Sequence, residues 1–411
     1  MLDVVINHLA SNQTNNTVDY SLFPSPFNTE EAYHEPCTID FGNQSSIEDC
    51  WLVANSPPVL PDIDSENSTV MNAMINSVVT LVQEYNIDGI RLDTARHVPK
   101  EYLTQFQSAV GVFVTGEALN QSSVYAFQYQ GPLDSVINYP LWYIVGDAFM
   151  GRTTFDYLAA EVTAEQAMYP DANLWTNFLD NHDQQRFASR DGDDIVRDAN
   201  AVTFLMFNPG IPVVYYGFEQ QFNGSGDPYN REPFWPSGYN TSAYLYKCIS
   251  ELHNIRTLAA NGMGRSTYFT SGAKVLGSSP QFMAFERGPL VVVVSNAGAN
   301  GTNQVMQISK SSFDEGAVIT DLLGSMNTTV GPAGSFNSTA PGGEARVSLI
   351  SFPGMTCLTN TRNHQIWMQV NGTETTSATA AETKSEGASL KENYVRSWLT
   401  WSTIILLGIV L

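Results

Sequence analysis

With 411 residues the chain can hold one large catalytic domain plus a smaller one, and its 43% hydrophobic and 11% aromatic content excludes global disorder. Its 41 acidic residues against 19 basic ones give a formal charge of -22. That balance excludes the basic footprint that nucleic acid demands, and it suits a protein acting on a neutral ligand.

The chain opens on Asp3-Val4-Val5-Ile6-Asn7-His8, which reads as a buried strand. Residues 1–8 do not themselves read as a secretory signal. Residues 9–68 are irregular and rich in Asn, Pro, Ser and acids, the pattern of a functional loop or a small subdomain. An amphipathic helix is predicted over about 69–85, with Met71, Met74, Ile75, Val78, Val79 and Val82 at helical spacing. Strands at 87–92, 112–115, 135–138, 174–179 and 211–215 then alternate with helices near 100–109, 123–130, 154–168, 194–207 and 242–258. Such alternation implies parallel pairing through right-handed crossovers. Six strands fit an eight-stranded β/α barrel whose first two β/α units lie upstream. An open doubly wound sheet is the alternative, though no strand leads into a Gly-rich phosphate loop. From about residue 263, strand-like stretches at 290–295, 305–308, 317–323 and 346–352 predict a small antiparallel β-domain.

The predicted organisation is therefore a partial barrel over 1–262 with the irregular subdomain at 9–68, a β-sandwich over 263–369, a Ser/Thr-rich stalk over 370–397 and an apolar tail over 398–411. A small-residue cluster, a polar spacer and that tail follow the order of a glycosylphosphatidylinositol anchor signal. The tail is short for a membrane span, which needs about 20 residues, although a plain membrane segment stays open. Roughly eleven Asn-X-Ser/Thr sequons, among them Asn12, Asn43, Asn120, Asn223, Asn300, Asn337 and Asn371, favour the secretory route. An anchor and sequons predict an upstream secretory signal and an extracellular protein at the plasma membrane or cell wall. The four cysteines, Cys37, Cys50, Cys248 and Cys357, form no C-x-x-C pair that would point to zinc or redox chemistry.

Barrel chemistry sits at the carboxyl ends of the strands. Standing there are Asn7 and His8, Arg91 and Asp93, Glu117, and His182 and Asp183. Arg91 and Asp93 are two apart, so a strand places them on one face. An arginine beside a carboxylate favours its ionised form, as a nucleophile requires. A less solvated Glu117 could hold a proton as general acid. That division of labour is what retaining glycoside hydrolysis needs, with carboxyl groups about 5–5.5 Å apart. The structural alternative is an Arg91–Asp93 ion pair and an Asp183 that caps a helix or turn.

Four ordered segments carry a family resemblance: Asp-Val-Val-Ile-Asn-His at 3–8, Gly-Ile-Arg-Leu-Asp-Thr-Ala-Arg-His at 89–97, Gly-Glu-Ala-Leu at 116–119 and Phe-Leu-Asp-Asn-His-Asp at 178–183. The chain resembles the α-amylases, most closely fungal ones with a C-terminal lipid-anchor signal. The resemblance implies Asp93 as nucleophile, Glu117 as acid/base and Asp183 as the third carboxylate. It implies sugar contacts from His8, Arg91, Arg96, His97, His182, Asp227 and Arg231. It further implies a Cys37–Cys50 disulfide and a Ca²⁺ held by Asn7, Glu48, Asp62 and the carbonyl of His97. Arg96 and Asn120 stand where this family usually has Lys and Asp, so acceptor choice is open. The implied function is an endo-acting, monomeric α-1,4-glucan hydrolase working on starch, glycogen, maltooligosaccharide or cell-wall α-glucan. The alternatives are a 4-α-glucanotransferase and an inactive α-glucan-binding wall protein. A bridge between Cys248 and Cys357 is the remaining pairing.

Overall fold

The computed structural model describes residues 1–12, 18–55, 58–324 and 326–350, together with the backbone of 355–360, 365–370, 373–374 and 405–407. Most of the predicted stalk and tail, and the Cys357 side chain, lie outside the described residues. Two compact units form, Met1–Pro140 with Met168–Thr176, and Leu141–Ala167 with Asn177–Leu411.

In the first unit, strands β1 (Leu2–Val4), β2 (Gly89–Leu92), β3 (Phe113–Gly116) and β4 (Ser135–Val136) make a parallel sheet in chain order. Helices α1 (Ser68–Glu84) and α2 (Lys100–Val110) are among its crossovers. The α1 helix starts where the Asn67 side chain accepts from the Thr69 N–H, satisfying one of the free donors of the first turn. It buries Val70, Met71, Met74, Ile75, Val78 and Val82, as the helical spacing predicted, while Val79 is only partly covered. These side chains join Ile90, Leu92, Leu103, Phe106 and Val114 in one core. At about 1.5–3 kcal/mol for each such side chain, this face fixes the helix more firmly than its intrinsic propensity does.

The second unit contains α4 (Phe155–Met168), α5 (Ile195–Phe207), β6 (Ile211–Tyr215) and α6 (Tyr244–Met263). Strand β5 (Thr176–Phe178) shares a sheet with β6. One helix escaped the sequence reading: α3, Tyr139–Phe149. Its sequence Tyr-Pro-Leu-Trp-Tyr-Ile-Val-Gly-Asp-Ala-Phe offers little polar face, so no helical period stands out. Pro140 is tolerated because it falls in the first turn.

Downstream, β7 (Lys274–Ser279), β8 (Phe282–Arg287), β9 (Leu290–Ser295), β11 (Val318–Asp321), β12 (Asn327–Thr329) and β14 (Arg346–Ile350) build an antiparallel sheet in the order β12-β11-β14-β9-β8-β7. Strands β10 (Gln304–Ile308) and β13 (Phe336–Ala340) pair separately. Ala284, Val291 and Val293 pack with Met306, Ile308 and Phe336, whereas Met283, Phe285, Val292 and Val294 join the helical core that includes Phe204. Burial on both faces explains why β9 reads as an unbroken apolar run rather than an alternation. The hairpin β7–β8 and strands β12 and β13 were not anticipated, and a short helix, Arg265–Phe269, stands where helical signal was expected to end.

Helix α5 is buried nearly throughout, polar residues included. Asn200 donates to the Gly343 carbonyl and accepts from the Ser295 N–H, so its burial is compensated. Asp198 is not: one carboxylate oxygen accepts from Gln221 and the other has no partner. Burial, reinforced by the charge of Asp191, pushes its pKa up to about 8. A raised carboxylate pKa means a stabilising contribution that is complete below the unfolded value and is lost as pH climbs through the folded one. Asp198→Asn is therefore expected to raise the thermal midpoint at pH 8, with the gain shrinking towards pH 4, as scanning calorimetry over that range will show.

Candidate active site

Strand β2 delivers Arg91 and, just past its end, Asp93 to one face. Arg91 is 5% exposed, and its Nη1 reaches Asp93 Oδ1 at 2.5 Å and Asp3 Oδ1 at 3.0 Å. Its Nη2 lies 3.1 Å from Glu117 Oε2. Burial alone would lower its pKa, but the charges of Glu117, Asp3 and Asp93 more than reverse that and raise it. One guanidinium thus gathers three carboxylates, two of them predicted catalytic groups. The ion pair foreseen as a structural alternative is present, and it extends to Glu117.

Glu117 follows β3, whose ladder continues through the Glu117 N–H to the Leu92 carbonyl at 2.8 Å. The preceding Gly116 is required by space, since a Cβ there would come within 2.4 Å of Leu133 Cδ1 and 3.0 Å of Ala95 Cβ. Glu117 is itself 7% exposed; Oε2 accepts from the Thr94 N–H and Oε1 from the Tyr139 hydroxyl. Thr94 holds a left-handed conformation, φ 47°, rare for a β-branched residue. That turn aims its N–H at Glu117 and its hydroxyl at Asn7 Oδ1.

Burial disfavours the charged form of the neighbouring histidines. Burial lowers the pKa of His8. Burial and the charge of Arg96 push His97 down to about 4. Its Nδ1 lies 2.8 Å from the Ile47 carbonyl and its Nε2 accepts from Arg96 Nε at 3.3 Å. Arg96 also donates to the Leu119 carbonyl and lies 5.0 Å from the Phe41 ring centre, so its guanidinium is fixed. The Asn120 side chain accepts from the Ser122 N–H.

Of the residues expected to hold calcium, Asn7 and Asp62 are each 2% exposed, and Asn7 Nδ2 lies 3.4 Å from Asp62 Oδ1. Burial pushes the pKa of Asp62 up to about 7 despite hydrogen bonds from His34 and Asn7, and burial raises Glu48 as well. Asp62 and Glu48 are hard oxygen donors of the kind a divalent cation takes, although Asp62 already has a cationic partner in His34, whose pKa, against its burial, Asp62 and Glu66 push up to about 9. The Asn7 oxygen accepts from the Thr94 hydroxyl. The irregular segment carrying Glu48 and Asp62 is closed by the Cys37–Cys50 disulfide. The sequence reading missed His34, whose Nδ1 sits 2.8 Å from Asp62 and Nε2 2.9 Å from Glu66. Asp49 joins His34 and Glu66, their ligand atoms lying within 4.8 Å of one another.

In the second unit, the segment after β5 presents His182 and Asp183, with His182 Nε2 3.2 Å from Asp183 Oδ2. The side chain that caps the turn here is Asn181, whose Oδ1 accepts from the Asp183 N–H, while the Asp183 carboxylate faces Arg231 at 3.5 Å. Arg231 also pairs with Asp227 at 2.8 Å and donates to the His182 carbonyl. The four predicted residues Asp227, Arg231, His182 and Asp183 therefore meet. Asn230, which the sequence did not single out, is fully buried, and its amide faces the carbonyls of Asn181, His182 and Gln184 at 2.8–3.2 Å. Cys248 is free, with Cys357 outside the described side chains.

A family model for the α-amylase catalytic domain matches residues 1–244. The chain belongs to the α-amylase family. A second model, α-amylase domain C, matches residues 275–352, the region of the antiparallel sheet. The chain is 36% identical over 353 residues to α-amylase 1 of Schwanniomyces occidentalis, covering 84% of this chain and 68% of that one. It is 35% identical over 352 residues to an α-amylase of Saccharomycopsis fibuligera, covering 84% and 69%. A solved α-amylase of Malbranchea cinnamomea superposes with a TM-score of 0.81 at 35% identity, covering 85% of this chain and 73% of that one. The fold is thus that of the TIM-barrel α-amylases, with a C-terminal antiparallel β-domain.

Removing Arg91 from this α-amylase leaves carboxylates gathered without their cation. Arg91→Met is expected to cost about 3–5 kcal/mol in urea unfolding at pH 7, as for other broken buried pairs.

Proposed function

We propose that the protein cleaves internal α-1,4 bonds of glucan with retention of configuration, outside the cell. The observation that carries this reading is Arg91 holding Asp93 and Glu117 together. Arg91 occupies Asp93 Oδ1, while Oδ2 has no hydrogen bond among the described residues and is the oxygen offered to an anomeric carbon. Asp93 attacks, and Glu117, which must take up its proton against the pull of Arg91, protonates the leaving glycosidic oxygen; Glu117 then takes a proton from the water that releases the sugar. In the uncharged form that burial favours, His8 and His97 suit hydrogen bonds to sugar hydroxyls, which a charged imidazolium would exchange for a costlier buried cation. Within the second unit, Asp183, His182, Asp227 and Arg231 are assigned to glucan binding. The relatives' names support the activity; the residue roles are our own reading. The described residues contain no helix long and apolar enough to cross a membrane, and surface attachment through a lipid is proposed from the composition of 387–411 alone.

Calcium is assigned to Asn7, Glu48, Asp62 and the His97 carbonyl. Bound there, it would supply positive charge to the oxygens of Asp62 and Glu48. A second reading, 4-α-glucanotransfer, is motivated by Arg96 and Asn120, whose side chains are engaged within the chain rather than left to an acceptor sugar.

Incubation with maltoheptaose should give shorter products that emerge as the α-anomer in proton NMR. Glu117→Gln should lower kcat by about 10²–10⁴-fold, and Asp93→Asn should abolish turnover; unchanged activity in either would remove the assignment. Products longer than maltoheptaose would favour the transfer reading. Chelation with EDTA should lower the thermal midpoint and added calcium restore it, whereas Asp62→Ala should show no calcium-dependent shift.

A further inference from the structure

The loop that follows Arg231 carries aromatic rings outward. Trp235 is 70% exposed and Tyr239 is 58% exposed. The backbone that carries both rings is fixed. Trp235–Ser237 is a single 3₁₀ turn containing Pro236, closed by Gly238 N–H to the Trp235 carbonyl. Ser237 Oγ donates to the Phe234 carbonyl and accepts from the Tyr239 N–H. Phe234 anchors the turn, with ring centres 5.9 Å from Phe222, 6.1 Å from Tyr216 and 5.0 Å from Tyr239. Tyr239 itself has φ 53°, a left-handed backbone that a side-chain-bearing residue seldom adopts. A strained residue whose ring faces water is a feature that burial does not explain.

The upstream end of the loop is fixed to the segment bearing Asp183. Buried Asn230 contacts the Asn181, His182 and Gln184 carbonyls, and Arg231 contacts the His182 carbonyl. The rings therefore continue, within one unit, from residues assigned to glucan. We propose that Trp235 and Tyr239 form an outlying platform for a longer α-glucan chain, extending its binding beyond Asp227 and Arg231. Sugar rings present apolar C–H faces that stack on exposed indole and phenol rings. The platform residues themselves carry no charge, and with a chain charge of -22 this favours a neutral polysaccharide over an anionic polymer. The inference rests on the proposed glucan substrate.

The test uses the full chain and its Trp235→Ala/Tyr239→Ala double variant, with unaltered thermal midpoints as the check on folding. The ratio of kcat/KM on long amylose to kcat/KM on maltotriose is expected to fall about tenfold in the variant. An unchanged ratio, including an equal loss on both substrates, would overturn the platform. Calorimetric titration with maltoheptaose separates this from failure of the catalytic reading. If the parent chain cleaves nothing but binds maltoheptaose, and the variant binds it about tenfold more weakly, the platform stands and the hydrolase assignment falls. Equal binding by parent and variant would overturn the platform whatever the catalytic result.

Discussion

A single buried guanidinium organises the carboxylates of the first unit. Arg91 comes out of water only because Asp3, Asp93 and Glu117 surround it, and they in turn are held near one another only because it is there. Removing either side would leave charge stranded at low dielectric, so the arrangement is far more rigid than a surface pair of the same distances. The strand ladder supplies the geometry. Asp3 and Arg91 are register partners in β1 and β2, and Arg91 pairs with Thr115, two residues before Glu117.

Backbone irregularity finishes what the ladder begins. The left-handed Thr94 turns one N–H towards Glu117 and one hydroxyl towards Asn7, joining the carboxylate pair to the proposed calcium ligands through one residue. Asn7 then touches Asp62, and Asp62 touches His34. A cation at Asp62 would thus act on the site through two successive hydrogen-bonded residues, which is a positioning effect rather than participation in bond cleavage. The second unit repeats the strategy with Asn230, a buried amide that fixes a loop against the backbone around Asp183.

What the sequence made legible follows from the range of the interactions concerned. Helix α1 showed its buried face through its own spacing, and β9 showed its two-sided burial through five consecutive apolar residues. Arg91, Asp93, Glu117 and Asp183 could be singled out because strand periodicity and ordered motifs place them. Asp3 escaped because its partnership with Arg91 spans 88 residues and leaves no local trace. Asn230 escaped because asparagine in a Gly/Pro-rich loop reads as a turn residue, and only the fold shows its amide turned inward. Helix α3 escaped for lack of a polar face, and β7, β12 and β13 because their partly exposed, Ser/Thr/Gly-bearing sequences read as loop.

The account turns on Asp93 being the group that bonds to the sugar. Reaction with 5-fluoro-α-maltosyl fluoride, a slow substrate that lets a glycosyl-enzyme accumulate, followed by proteolysis and peptide mass spectrometry, addresses this directly. The expected result is one maltosyl adduct on the peptide containing Asp93. An adduct on another residue, or active turnover with no adduct at all, would contradict it.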